Sequence, residues 1–173
     1  MAREPSVEQR GEQPYVGIHA RVANESEFRG AVDRGFPALF AWVDENGVTP
    51  SGPPFIRYLE IDRDGQPVEF EIAVPVADSA SGGGPVRAGA LPAGPYATFL
   101  HVGPYSSSEA PDLSAARAEL LRWVHQRGID VVSETTDQGV AYGAYVENYI
   151  TDASKEPDWS KWKTELAYLV DEG

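Results

Sequence analysis

The chain repeats itself. The segments "AWVDENG" (41–47) and "RWVHQRG" (122–128) stand 81 residues apart, "RYLEID" (57–62) matches "AYVENY" (144–149), and "FEIAVPV" (70–76) matches "TELAYLV" (164–170). Each copy has the same order of elements. In the first, "PYVGIHARVA" has strand composition, and "EFRGAVDRGFPALFAWVDENG" spaces Val32, Phe36, Leu39, Phe40 and Val43 as a helix does. Pro37 is expected to open a second helical segment there, and Gly47 to end it. "PFIRYLEID" and "VEFEIAVPV" follow as two strands joined by "RDGQ", whose Asp-Gly pair marks a hairpin. The second copy runs "PYATFLHVG", then a helix in "DLSAARAELLRWVHQRG" with Leu113, Ala116, Leu120 and Val124 on one face, then "VAYGAYVENYI" and "KTELAYLV". A strand-helix-strand-strand unit has one helix to cover its sheet, so one sheet face must find other cover. The expected organisation is a polar, flexible arm over 1–13 and a single domain over 14–173. Its first repeat covers 14–77, a Gly/Ser/Ala/Pro-rich linker 78–93, and the second repeat 94–170.

Composition narrows the function. At 173 residues and 42% hydrophobic content the chain can bury a sizeable core. Its 27 acids against 14 bases give a net charge of -13, which repels phosphate backbones and anionic lipid and favours cationic ligands. Direct nucleic-acid binding and membrane association are therefore not expected. No cysteine is present, so thiol chemistry and thiolate metal sites are excluded, in keeping with a reducing, cytoplasmic setting. Three histidines far apart in sequence give no metal site, and no motif points to a cofactor. The glycines of the linker are not followed by GK[ST], and "DRDGQ" lacks the later ligands of a calcium loop.

Strand alternation then assigns faces. Phe55, Leu59 and Ile61 with Ala144, Val146 and Ile150 are expected under the helices, as are Phe70, Ile72, Val74, Leu166, Tyr168 and Val170. The opposite surface would collect Tyr58 and Glu60, Tyr145, Glu147 and Tyr149, and, from the closing strands, Glu69, Glu71 and Glu165. The loop before the last strand holds Trp159 and Trp162, whose indoles are too apolar to sit wholly in water and are expected to fold back as a lid. A chamber of ring faces with a carboxylate base suits an organic cation.

In their order, "GFPALFAWVDENGVTPSGPPFIRYLEID", "LPAGPYATFLHVGPY" and "TELAYLV" resemble the GyrI-like small-molecule-binding domain, the effector-binding module of multidrug-sensing regulators. The resemblance implies an α+β fold: two pseudo-symmetric units forming a concave antiparallel sheet backed by two main helices, with a cleft for bulky, often cationic aromatic compounds. It also implies that Glu165, in the "TEL" position, is the acidic group of the cleft, with Tyr145 and Tyr58 as aromatic walls. Glu147, Tyr149, Glu71, Trp159 and Trp162 complete the expected ligand set. No helix-turn-helix segment is legible, so a binding or sequestering role is expected rather than direct DNA regulation. Two alternatives stand beside it. One is hydrolysis of cyclopropane-containing alkylators by Glu147 and Glu165 with Tyr145, two close carboxylates dividing acid and base roles. The other is a gyrase-inhibitor-type interaction with a protein partner.

Overall fold

The computed structural model describes residues 4–78 and 81–172, so the ends of the expected arm (1–3) and part of the expected linker (79–80) lie outside the described residues. In chain order the elements are β1 (Ser6–Arg10), β2 (Gln13–Arg21), α1 (Glu25–Glu45), β3 (Phe55–Asp62), β4 (Pro67–Pro75), β5 (Val86–Leu91) and β6 (Gly94–Val102). There follow α2 (Leu113–Gln126), β7 (Asp130–Val131), β8 (Ser133–Thr135), β9 (Gly139–Tyr142), β10 (Tyr145–Tyr149), a 3-10 turn (Trp159–Lys161) and β11 (Lys163–Asp171). The strands form one antiparallel sheet ordered β1-β6-β11-β10-β3-β4-β2-β5, with β9 against β3, β8 against β9 and β7 against β11.

The duplication is visible in how the helices stop and start. Asn24 caps α1 by accepting the Glu27 N–H, and Asp112 caps α2 by accepting the Ala115 N–H. At the other ends, Gly47 (φ 64°) and Gly128 (φ 68°) take the left-handed conformation. Val48 and Ile129 then return their N–H groups to the carbonyls of Val43 and Val124. This is the Schellman arrangement, and it explains why both copies keep Trp-Val-x-x-x-Gly. Pro37 does not divide α1; the helix runs through it from Glu25 to Glu45. Residues 6–10, expected in a free arm, form β1, and residues 86–91 of the expected linker form β5. Both were hidden because edge strands here are short and polar or glycine-bearing.

These two edge strands set the shape of the sheet. Two residues join β1 to β2, and two join β5 to β6, yet each connection passes between positions six strands apart. Six strand spacings amount to about 29 Å on a flat sheet. Three Cα steps reach only about 11 Å. The ladder also continues in unbroken register across the corner: Arg10 faces Gly94, and Gln13 faces Leu91. The sheet must therefore curl until its ends meet. The inside of the curl is a compact second core of Tyr15, Phe55, Ala73, Tyr96, Ala144, Val146 and Ala167, buried without help from a helix. The outside carries α1 and α2 over Ile56, Phe70, Ile72, Leu166 and Tyr168, with Leu39 and Leu120 fully buried between helix and sheet.

Register corrects the expected faces of the two central strands. Directly paired residues share a sheet face. Ile56 pairs with Ile72, Tyr58 with Phe70, Tyr145 with Tyr168 and Glu147 with Leu166, so these members of β3 and β10 lie on the helix side. Phe55, Ala144 and Val146, expected there, fill the second core instead. The reason is that this sheet buries apolar residues on both faces, so alternation alone could not say which set met the helices. Ile61 does reach the helix-side core, but through a register irregularity around Glu60 that shifts the strand by one residue.

The helix ends provide a test. A Cβ at Gly47 or Gly128 would meet nothing within 4 Å, so substitution is opposed by backbone conformation alone. Gly47→Ala and Gly128→Ala should each lower stability by about 1–2 kcal/mol in urea unfolding, nearly additively.

Candidate functional site

Helices laid on the outside of a curled sheet splay apart, and here they leave a cleft of ≈ 1200 Å³ over the central strands. One wall is α1, through Phe28, Val32, Phe36 and Phe40; the other is the start of α2, through Leu113 and Arg117. The floor is Ile56, Tyr58, Tyr145, Glu147 and Tyr149, and one end is closed by Tyr105 and residues Ile150–Ser154.

Glu147 is the central group of the floor. It is 6% exposed and accepts hydrogen bonds from three tyrosine hydroxyls: Tyr58 at 2.6 Å, Tyr149 at 3.0 Å and Tyr145 at 3.4 Å. Burial raises its pKa above the ordinary carboxyl value, and the three phenol donors pull it back down. Burial beside this carboxylate pushes all three phenols well above their usual pKa, so they remain protonated donors at neutral pH. The rings also form a column. Tyr58 stacks on Tyr145 at 5.1 Å, and Tyr145 on Tyr168 at 4.0 Å with planes 5° apart. Rings fixed this way offer faces to a guest at little further entropic cost.

Around the rim lie Glu25, Asp33, Asp112 and Asp152, with Arg29 paired to Glu25 at 2.8 Å. Arg117 projects from α2 onto the column: its Nε donates to Tyr168 (2.7 Å), its Nη2 to Tyr142 (3.3 Å), and its guanidinium lies 5.6 Å from the Tyr145 ring centre.

The remaining expected site residues are placed elsewhere. Glu165 pairs in register with Asn148, one residue beyond Glu147, and so points to the opposite face of the sheet. There its carboxylate accepts from Arg10 (2.8 Å) and Asn148 (3.1 Å), beside a smaller pocket of ≈ 420 Å³. The positive charge that answers Glu165 thus comes from β1. Glu71 also faces away from the cleft, where it accepts from the Tyr15 hydroxyl, itself held by Arg57 at 2.9 Å. Glu147 and Glu165 therefore cannot form the expected acid-base pair. Of the tryptophans, Trp159 is 49% exposed. Trp162 donates to the Glu156 carbonyl and packs on Tyr105 (4.7 Å), which in turn meets Tyr149 edge-on. Trp162 supports the rim of the cleft from behind; neither indole lines it. No group of histidine, aspartate or glutamate among the described residues is arranged to hold a metal ion, and no helix is long and apolar enough to cross a membrane.

Reading the sequence missed Arg117, Tyr105 and the phenylalanines of α1. Arg117 had a usable signal, because it stands four residues after Leu113 and three before Leu120, on the apolar stripe of its helix. A charge on that stripe had to face something.

The raised pKa of Glu147 has a sign that can be measured. A carboxyl that ionises less readily when folded contributes stability fully below its unfolded value, about 4.3, and loses that contribution as pH rises through the folded value. Wild type should therefore lose stability relative to Glu147→Gln as pH is raised from about 4 to neutrality. Urea unfolding across that range checks it; parallel curves would contradict the shift.

Comparison with known proteins agrees with this architecture. The C-terminal domain of EcmrR superposes with a TM-score of 0.76 at 21% identity, covering 98% of both chains. A hydrolase from Listeria innocua gives 0.60 at 19% identity over 98% of this chain and 93% of that one. SAV2435 bound to tetraphenylphosphonium gives 0.61 at 15% identity over 98% and 95%. At these identities the likeness is one of fold. No curated protein sequence gives a significant match. The GyrI-like small-molecule-binding domain, however, matches residues 3–166, nearly the whole chain, and with the duplicated units and the cleft already described this places the protein in the GyrI-like family.

Proposed function

We propose that the cleft between the helices binds bulky aromatic compounds carrying positive charge, and that Glu147 neutralises that charge. The observation that carries this reading is a carboxyl group 6% exposed, held by three phenol donors and with no basic group of the described residues within 4.0 Å, at the floor of a large aromatic cleft. A buried carboxylate without a counter-ion is costly, and a cationic guest relieves that cost while gaining the ring faces of Tyr58 and Tyr145. The acidic rim raises the local concentration of cations. That SAV2435 holds tetraphenylphosphonium is in keeping with such a ligand class on this fold.

Isothermal titration with a lipophilic aromatic cation should give micromolar binding. Glu147→Gln should weaken it by about 1–3 kcal/mol, the range for a charge-assisted contact. Glu165→Gln, on the other face, should leave it within about 0.5 kcal/mol. Equal affinity for a neutral compound of the same shape, or a larger loss from Glu165→Gln, would overturn the assignment.

A second reading uses the same carboxyl. With its pKa raised, Glu147 is suited to general acid-base work in opening a strained cyclopropane ring, although it would act without Glu165. Product analysis after incubation with a cyclopropane alkylator separates the two. Turnover abolished by Glu147→Gln and indifferent to Glu165→Gln would make the protein a hydrolase; no turnover leaves it a binder.

A further inference from the structure

The cleft contains a cation as well as an anion. Two arginines line it: Arg29, which is paired with Glu25, and Arg117. No carboxylate among the described residues comes within 4.0 Å of Arg117. Its hydrogen bonds go to two tyrosine hydroxyls, through Nε and Nη2, and Nη1 has no hydrogen-bond partner among the described residues. A shortage of acids does not explain this, because the chain has nearly twice as many acids as bases. A half-buried guanidinium with spare donors, in a site already shaped to receive a guest, is a place for an anionic group.

Its position relative to Glu147 is well defined. Tyr145 lies between them: its hydroxyl reaches Glu147 at 3.4 Å, while the guanidinium lies 5.6 Å from its ring centre. The floor therefore presents a negative group, a ring column and a positive group in sequence. Resting on the cationic-ligand reading above, we propose that the preferred guests are aromatic cations that also carry an anionic group such as a carboxylate, and that Arg117 receives it.

Rhodamine B and its ethyl ester supply the test, since both hold the same xanthylium cation and only the former has a free carboxylate. The chain's net charge of -13 opposes any added negative charge, so long-range electrostatics alone would favour the ester. We expect the reverse: wild type should bind rhodamine B about tenfold more tightly, the scale of one charge-assisted contact after desolvation. Arg117→Met should abolish the difference between the dyes, and Arg117→Lys should retain part of it. Equal or tighter binding of the ester by wild type overturns the proposal, and that comparison needs no variant to fold. Persistence of the preference in Arg117→Met overturns it as well. The ester alone reports on the cationic reading. If it binds and depends on Glu147 but the carboxylate makes no difference, only this inference fails; if neither dye binds, both fail.

Discussion

Two corners of two residues each determine the form of this molecule. Because Gly11–Glu12 and Pro92–Ala93 carry one continuous ladder from one end of the sheet to the other, the sheet cannot lie flat. Its inner surface closes on itself, and Tyr15 and Tyr96, from strands distant in sheet order, share one core there. The outer surface is then convex, and two helices on a convex surface diverge. The cleft is the space they leave. Each unit also lends its leading strand to the other: β1 of the first pairs with β6 of the second, and β5 of the second pairs with β2 of the first. The halves are thus bound by backbone hydrogen bonds at their margins as well as by the central β3–β10 pair.

Within the cleft, the buried carboxyl of Glu147 is held by hydrogen bonds, with no ion-pair partner within 4.0 Å among the described residues and the Arg117 charge acting on it from farther off. Three phenols supply hydrogen bonds, and their own titration is pushed out of the physiological range by burial. They are thereby donors that never compete for the negative charge. The same rings are stacked against one another and against Arg117, which removes freedom they would otherwise lose on binding. On the opposite face the acids Glu71 and Glu165 are satisfied internally, by Tyr15 and by Arg10, and serve cohesion.

Much of this was legible in the residues. The repeated segments expose the duplicated units, and Trp-Val-x-x-x-Gly marks both helix ends because glycine alone takes that conformation without penalty. The convergence of Tyr58, Tyr145, Glu147 and Tyr149 follows from alternation within and between the copies. What alternation could not supply was the side of the sheet on which they converge. That depends on pairing register, and a curled sheet with apolar residues on both faces carries no one-dimensional signal for it. Glu165 lies on its expected face, away from the helices; it is Glu147, with Tyr58 and Tyr145, that lies on the side not expected, one pairing step and so a whole sheet thickness from Glu165. The edge strands were hidden by composition: "SVEQR" and "VRAGAL" are ordered by the neighbours they cover and have little propensity of their own.

The irregularity in β3 sets the two copies apart. By the repeat, Glu60 is the counterpart of Glu147, just as Tyr58 is of Tyr145. The one-residue shift after Tyr58 turns Glu60 away, toward Arg21 and Thr136, while β10 runs regularly and keeps Glu147 inward. A scaffold built from twins thus brings only one of its two equivalent carboxylates into the cleft. An undistorted duplicate would have turned a second carboxylate, that of Glu60, onto the helix side of the sheet.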